Sequence, residues 1–479
     1  MLLTALVCAQ RPSAQQGGSE PNSAFQAEVA WLRGADLLEL RDGRRIRLQG
    51  ISLPTPILRP KDFVAQLQAF LKNRCEQKTL WIEPESKTEL GDTADFCAVV
   101  RERQDAPSIN EEALELGLAL YDGRTIEVKD GKVLAAAAQR AQTKKVGWFA
   151  GSAARAFERG TTMPFLNGAV LGLYDRDAGR DYARHIDELA EAGFKHIEFL
   201  FSAMLEHVRG SRIDRHHRRT VSDLRLIEAI GYAKKKGMSV LLLPIVLLDE
   251  QKPEDWRGVI KPDDEEAFWQ SYDAMLCHYL DIAERHGVEM FSVGSELGSL
   301  EDRTATWRRI IQNARGRYSG AVTYSANWDH IDVARWFDDL DVVGMTAYFS
   351  LTEDHKVNES KRNKNPTLEV LVEGWKRWGD RLRADLARIG KPVVFTELGY
   401  ASQDGINSDP WNYLMAQDRI DLQEQADCFE SFLRVAPSFE FLRGAYFFDY
   451  FEEGGPTDHT YSPRGKPAMA QWRRWATGQ

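Results

Sequence analysis

A chain of 479 residues has room for two to four ordinary domains, or for one large barrel with a smaller unit beside it. Its 43% hydrophobic and 28% charged residues are those of an ordinary globular protein with a full-sized core, which excludes a disordered or fibrous chain. A net charge of −10 argues against a general phosphate-binding surface, so no nucleic-acid partner is expected.

The first ten residues, from Met1 through Cys8 to Gln10, look like the tail of a secretory apolar region without its basic flank. A polar tract rich in Gly, Ser and Gln runs from Arg11 to Ser23. Residues 1–24 are therefore expected to be a leader or a disordered tail. Export to the periplasm or the exterior is favoured over a cytoplasmic location. Elsewhere no stretch approaches the ~20 apolar residues of a membrane span. The five cysteines fall in no metal-ligand spacing, and no metal or cofactor is expected. Cys277 and Cys428 lie in amphipathic helical segments as free thiols, whereas a Cys75–Cys97 disulfide stays open because both belong to one domain.

Residues 25–150 read as a small β-rich unit. Asp42-Gly43 stands between two runs of period-two alternation, Glu39–Arg41 and Arg44–Leu48, which is a hairpin signal. A helix over 61–74, strands over 79–83 and 96–101, and two further helices follow. Leu38 to Gly43, Ile46 to Ile51, Asn110 to Ala119 and the closing segment at Trp148 resemble a staphylococcal-nuclease-like domain, an OB-type barrel with helices. That resemblance implies a Ca²⁺ site, a glutamate base and two arginines. Asp36 and Arg47 match one ligand and one arginine. Ser52, Thr55 and the region of Asp95 replace the rest, so no nuclease chemistry is expected.

Beyond linker-like segments near Ala150 and Gly160, residues 160–479 alternate regularly. Strands are expected at 167–174, 196–201, 239–246, 289–294, 322–326, 342–347, 392–396 and 444–448. Helices are expected at 182–192, 222–236, 265–286, 304–317 and 368–389, the second opened by cap chemistry at Thr220–Asp223. Eight strands with helical or connecting segments between them make a (β/α)8 TIM barrel, an α/β fold preceded here by the small β-barrel domain.

Two of the apolar runs end in glutamate, Met290 to Glu296 in the fourth strand and Pro392 to Glu397 in the seventh. The C-terminal tips of barrel strands are where such folds carry chemistry. Two carboxylates facing each other there suit glycoside hydrolysis: one protonates the leaving oxygen while the other attacks the anomeric carbon. Glu296 and Glu397 are the candidate catalytic pair.

The pattern resembles glycosidase clan A, and within it glycoside hydrolase family 113, whose characterised members act on β-1,4-mannans. The resemblance is carried by Trp256 to Gly258, Phe291 to Leu297, Thr323 to Asp329, Asp341 to Tyr348, Lys391 to Tyr400 and Tyr461 to Pro467. It implies Glu296 as acid/base, Glu397 as nucleophile, and Tyr348 as a hydrogen-bond donor that keeps the nucleophile ionised. It further implies Asn327 as a hydroxyl contact, Trp328 as a stacking face and Trp256 at an outer subsite. The sequence departs from the family at three places: Ser295 replaces an asparagine, Ile245 replaces a polar residue, and Phe448-Asp449 stands where a tryptophan platform is usual. Ser295, Phe448 and Asp449 still complete the candidate substrate-binding set. The expected activity is endo-acting retaining hydrolysis of a β-linked polysaccharide or oligosaccharide. The alternative is a catalytically decayed barrel that serves as a glycan-binding or scaffold protein. The basic stretch Arg209–Arg219 reads as a solvated loop or as a cationic rim for an acidic glycan. Nothing in the sequence specifies an oligomeric state.

Overall fold

The computed structural model describes residues 23–85, 94–123, 129–174, 181–352, 365–412 and 419–479. The leader-like N-terminus lies outside these described residues. Contacts gather the chain into two units: residues up to Gln49 with Val64–Glu112, and Gly50–Phe63 with Ala113–Gln479.

The first unit is a closed five-stranded barrel. Its strands are β1 (Phe25–Leu32), β2 (Leu37–Leu40), β3 (Arg45–Leu48), β4 (Thr79–Glu85) and β5 (Phe96–Arg101), closed in the order β1-β2-β3-β5-β4. Period-two alternation explains its core. Leu38, Leu40, Ile46 and Leu48 are buried, while the residues between them are partly open. The Asp42-Gly43 turn joins β2 to β3; Gly43 takes φ +90, and Arg44 N donates to the Asp42 carboxylate at 3.0 Å. Asn110 ties the barrel internally by accepting from Val100 N and donating to Gln49 O and Ala98 O. Cys75 and Cys97 are both buried and are not joined, so the disulfide left open by sequence is not formed. Asp36 pairs with Arg47 at 3.7 Å.

The second unit holds eight parallel strands: β6 (Leu166–Gly172), β7 (His196–Leu205), β8 (Ser239–Leu248), β9 (Met290–Ser295), β10 (Ala321–Asn327), β11 (Val343–Thr346), β12 (Val393–Leu398) and β13 (Leu442–Phe447). Each pairs with the next, and β13 pairs with β6 to close the ring. This is the TIM barrel expected from the alternating pattern. Helices at Tyr182–Glu191, Asp223–Lys235, Glu265–Arg285, Thr304–Arg317 and Leu368–Ala387 fall within two residues of the expected bounds, and Leu422–Val435 and Met469–Thr477 follow. Ser222 occupies the cap position of the second of these without a side-chain bond. The largest difference is at β7, four residues longer than expected. Its end stays paired because Leu247 and Leu248 continue beside it and Ile213–Asp214 adds a short antiparallel ladder.

Strand parity sorts the apolar residues into two layers. On β8, Val240, Leu242, Val246 and Leu248 face the helices, while Leu241, Leu243 and Ile245 fill the barrel interior with Val170, Leu200, Met290, Val394 and Tyr446. Two positions that a nuclease would use, Ser52 and Thr55, serve a different purpose within this unit. Both hydrogen-bond to the buried Arg317–Asp281 ion pair (2.7 Å), Ser52 through Arg317 and Thr55 through Asp281. Of the remaining cysteines, Cys428 is buried and Cys277 half-buried; both are free.

Candidate active site

Glu296 follows the last residue of β9 and Glu397 is the penultimate residue of β12, so both stand at the C-terminal rim of the barrel. They are 7% and 4% exposed. Strand β11 brings them together. Thr346, which pairs with Glu397 across the ladder, donates its hydroxyl to Glu296 Oε1 at 2.6 Å. Two residues further on, Tyr348 donates to Glu397 Oε2 at 2.7 Å. The two carboxylates are thus held from the last residue of one short strand and from the segment that follows it.

Glu296 has φ +51, a left-handed conformation that costs a non-glycine residue about 1–3 kcal/mol. Its flanks hold it there: Glu296 N donates to Ser325 O and Leu297 N donates to the Tyr324 hydroxyl, both at 2.9 Å. The reversal turns the side chain toward Arg257, whose Nη2 lies 2.5 Å from Glu296 Oε2.

Burial, and secondarily the charge of Glu296, push the Glu397 carboxyl up to about 7. Arg257 and the Tyr348 hydrogen bond oppose this without overcoming it. Glu397 Oε1, Ser295 Oγ and Arg257 Nε are buried without hydrogen-bond partners. Three open polar valences around two carboxylates are the groups a sugar's hydroxyls would satisfy.

The other candidates are distributed around this centre. Ser295 is 2% exposed, directly before Glu296. Phe448 packs edge-on against Tyr348 and Tyr461, at 6.1 and 5.2 Å between centroids, and is joined to Asp449 by a cis peptide. Asp449 is 3% exposed. Burial and then the neighbouring Glu452 carboxyl raise its proton affinity. Asn327 turns its amide oxygen back onto Trp328 N at 2.9 Å. Trp328 stacks on Trp411 at 5.7 Å and meets Trp378 and Phe349 edge-on, so its ring is committed to protein contacts. Trp256 is 39% exposed, with its ring lying over Gly258, where a Cβ would come within 2.3 Å of it. Ile245 faces the barrel interior below the rim. In the basic loop, Arg209 pairs with Asp263, and Arg219 and His217 both pair with Asp249.

Sequence reasoning passed over Arg257, Thr346, Tyr174 and Glu452. Arg257 sits beside the singled-out Trp256, and Thr346 two residues before Tyr348, so adjacency to chosen residues was the available signal. Tyr174 folds its ring over Gly172, where a Cβ would lie 2.2 Å from the ring, and meets Phe451 edge-on at 4.7 Å. Among the described residues, Asp404, Asp421 and Glu424 also bring carboxylates together, but Glu424 is already engaged by Gly405 N and Asn407.

Residues 163–466 match Glycoside Hydrolase Family 113. Among solved structures, the GH113 β-mannanase AaManA from Alicyclobacillus acidocaldarius, in complex with ManMIm, is 27% identical, covers 66% of this chain and 98% of its own, and has a TM-score of 0.58. A complex of a GH113 β-1,4-mannanase is 26% identical over 66% of this chain and 100% of its own, with a TM-score of 0.57. A further GH113 β-1,4-mannanase is 25% identical over the same shares, with a TM-score of 0.53. No curated protein matches the chain. The matched span takes in more than half of the sequence, including every barrel strand and both rim glutamates, and the chain belongs to glycoside hydrolase family 113.

Proposed function

We propose that this glycoside hydrolase cleaves β-1,4-linked mannan-type chains from within, by double displacement, with Glu397 as nucleophile and Glu296 as acid/base. The observation that carries the reading is the convergence of both carboxylates over β11, each with its own hydroxyl donor. Glu397 attacks the anomeric carbon as Glu296 protonates the leaving oxygen. Glu296 then takes a proton from water, which releases the sugar with its configuration retained. The chemistry needs one proton between the two groups, one carboxyl protonated and the other ionised. The Tyr348 hydrogen bond favours the form in which Glu397 is the ionised partner. Ser295, Phe448, Asp449, Asn327 and Trp256 border the sugar in this reading, while Trp328 supports them from behind.

The five-stranded N-terminal unit is read as a nuclease-like module without nuclease chemistry. The leader-like N-terminus, together with a polymeric substrate, supports action in the periplasm or outside the cell. No helix among the described residues is long and apolar enough to cross a membrane.

The test is release of reducing ends across mannans, glucans, xylans and acidic bacterial polysaccharides, with Glu397→Ala and Glu296→Gln as controls. Release from mannan that disappears in both variants is expected. Undiminished release by Glu397→Ala would overturn the assignment, and oligosaccharide binding without turnover across the panel would favour the scaffold alternative.

A further inference from the structure

The segment after β13 continues between that strand's two neighbours in the ring and is pinned on both sides. Phe448 N donates to Leu398 O of β12, and Tyr450 N donates to Val170 O of β6, each at 2.9 Å. Asp449 is therefore held between the nucleophile's strand and the first strand. Its carboxyl lies within hydrogen-bond reach of Glu452. Burial, and then the neighbouring Glu452 carboxyl, raise the proton affinity of Asp449. Glu452 Oε2 is buried and has no partner. The Tyr174 phenol feels the charges of Asp449, Glu397 and Glu452, and its ring meets Phe451 edge-on at 4.7 Å.

The charges around this floor do not balance. Arg257 is in contact with Glu296, and Lys466 Nζ is bonded to Asp458 (2.6 Å), Ser402 and Thr460 O. Each of these cations already has its own carboxylate. Among the described residues Asp449 and Glu452 form no ion pair of their own, so carboxyls dominate this side of the reacting position. Two adjacent carboxyls offer acceptors, and a donor where Asp449 holds its proton, which suits hydroxyl groups and not another carboxylate.

We infer that Asp449 and Glu452 form a specificity element for the sugar bound over Glu397, admitting a neutral glycone through its hydroxyls and rejecting a uronate. The inference rests on the assignment of Glu397 as nucleophile. It also separates the floor of the site from the basic loop at 209–219: cations on the rim do not make the reacting position receptive to an acidic sugar.

Mannotetraose and β-1,4-linked tetramannuronate differ only in oxidation at C6 and make a matched pair of probes. We expect the wild-type protein to turn over mannotetraose with a kcat/KM about 100-fold or more above that for tetramannuronate. In the Asp449→Asn/Glu452→Gln double variant that ratio narrows by about tenfold or more, with Glu452→Gln alone narrowing it in part. Binding of the two probes to the same variants in a Glu296→Gln background, read by calorimetry, should show the same narrowing. A ratio in the double variant within about twofold of wild type, a wild-type preference for tetramannuronate, or no binding of either probe in any variant would overturn the inference. Failure of the underlying assignment is read separately: Glu397→Ala would then retain turnover of mannotetraose.

Discussion

Replacing Tyr348 by Phe removes one oxygen and leaves the ring. Its packing on Phe448 and Tyr461, each at 6.1 Å, is kept. What disappears is the 2.7 Å hydrogen bond to Glu397 Oε2, and Glu397 Oε1 has no partner that could compensate. A hydrogen bond to an ionised group contributes about 1.5–3 kcal/mol, and one pKa unit corresponds to ~1.4 kcal/mol, so the shift is about 1–2 units. The sign follows from which form is held. The phenol stabilises the carboxylate, so its loss raises the Glu397 carboxyl further above the value of about 7 that burial and Glu296 already impose. A nucleophile must be ionised, and the acidic limb of the kcat/KM profile, which reports the free enzyme, should move to higher pH by that amount. At a pH well below the limb the variant should be roughly 10- to 100-fold slower, and above the limb it should largely recover. The assay is hydrolysis of mannotetraose from about pH 4 to pH 9. A uniform loss at every pH, with the limb unmoved, would show that the phenol packs without controlling ionisation.

Three further outcomes follow from other contacts. Because the Glu397 carboxyl is raised from 4.5 to about 7, its contribution to stability is fully present below 4.5 and lost as the pH rises through 7. Glu397→Gln should therefore stabilise the fold more at about pH 8 than at about pH 4.5, by roughly 1–3 kcal/mol in calorimetric melts, and an equal effect at both would refute this. Arg317→Met leaves Asp281 buried without a counter-charge and should cost about 3–5 kcal/mol in denaturant unfolding, partly restored by adding Asp281→Asn. Trp328→Ala should cost about 3–5 kcal/mol with less than about a threefold change in KM for mannotetraose. A large KM rise with unchanged melting would return that ring to a sugar-stacking role.

The barrel was legible because its physics is local. Each strand is an apolar run and each helix between them an amphipathic one, so periodicity marks both. The strand-end position of the two glutamates was legible for the same reason, since each closes a buried run. Tyr348 came only through family resemblance, since a phenol at a strand end reads equally well as core. Arg257 opens a single 3-10 turn and Glu452 lies in an irregular segment, both too short to show a period, and their partners are fixed by the folding of other segments. Trp328 shows the converse. Its position at a strand tip was readable, but the stacking ring of Trp411 comes from another loop, and burial of both faces cannot be read from one. The hairpin at Asp42-Gly43 was readable from two residues, whereas the parallel pairing of β3 with β5 joins strands far apart in the chain.

Thr346, the support of one acid, ends a strand of only four residues, and Tyr348, the support of the other, follows two residues later. Side chains on a strand alternate faces, so a slip of one residue there would turn the Thr346 hydroxyl away from Glu296 and displace Tyr348 from Glu397 in the same step. The spacing between acid and nucleophile is accordingly not two adjustable distances but a single ruler. Attempts to widen the gap for a water molecule, as an inverting enzyme requires, would have to shorten a glutamate, because moving β11 dislodges both.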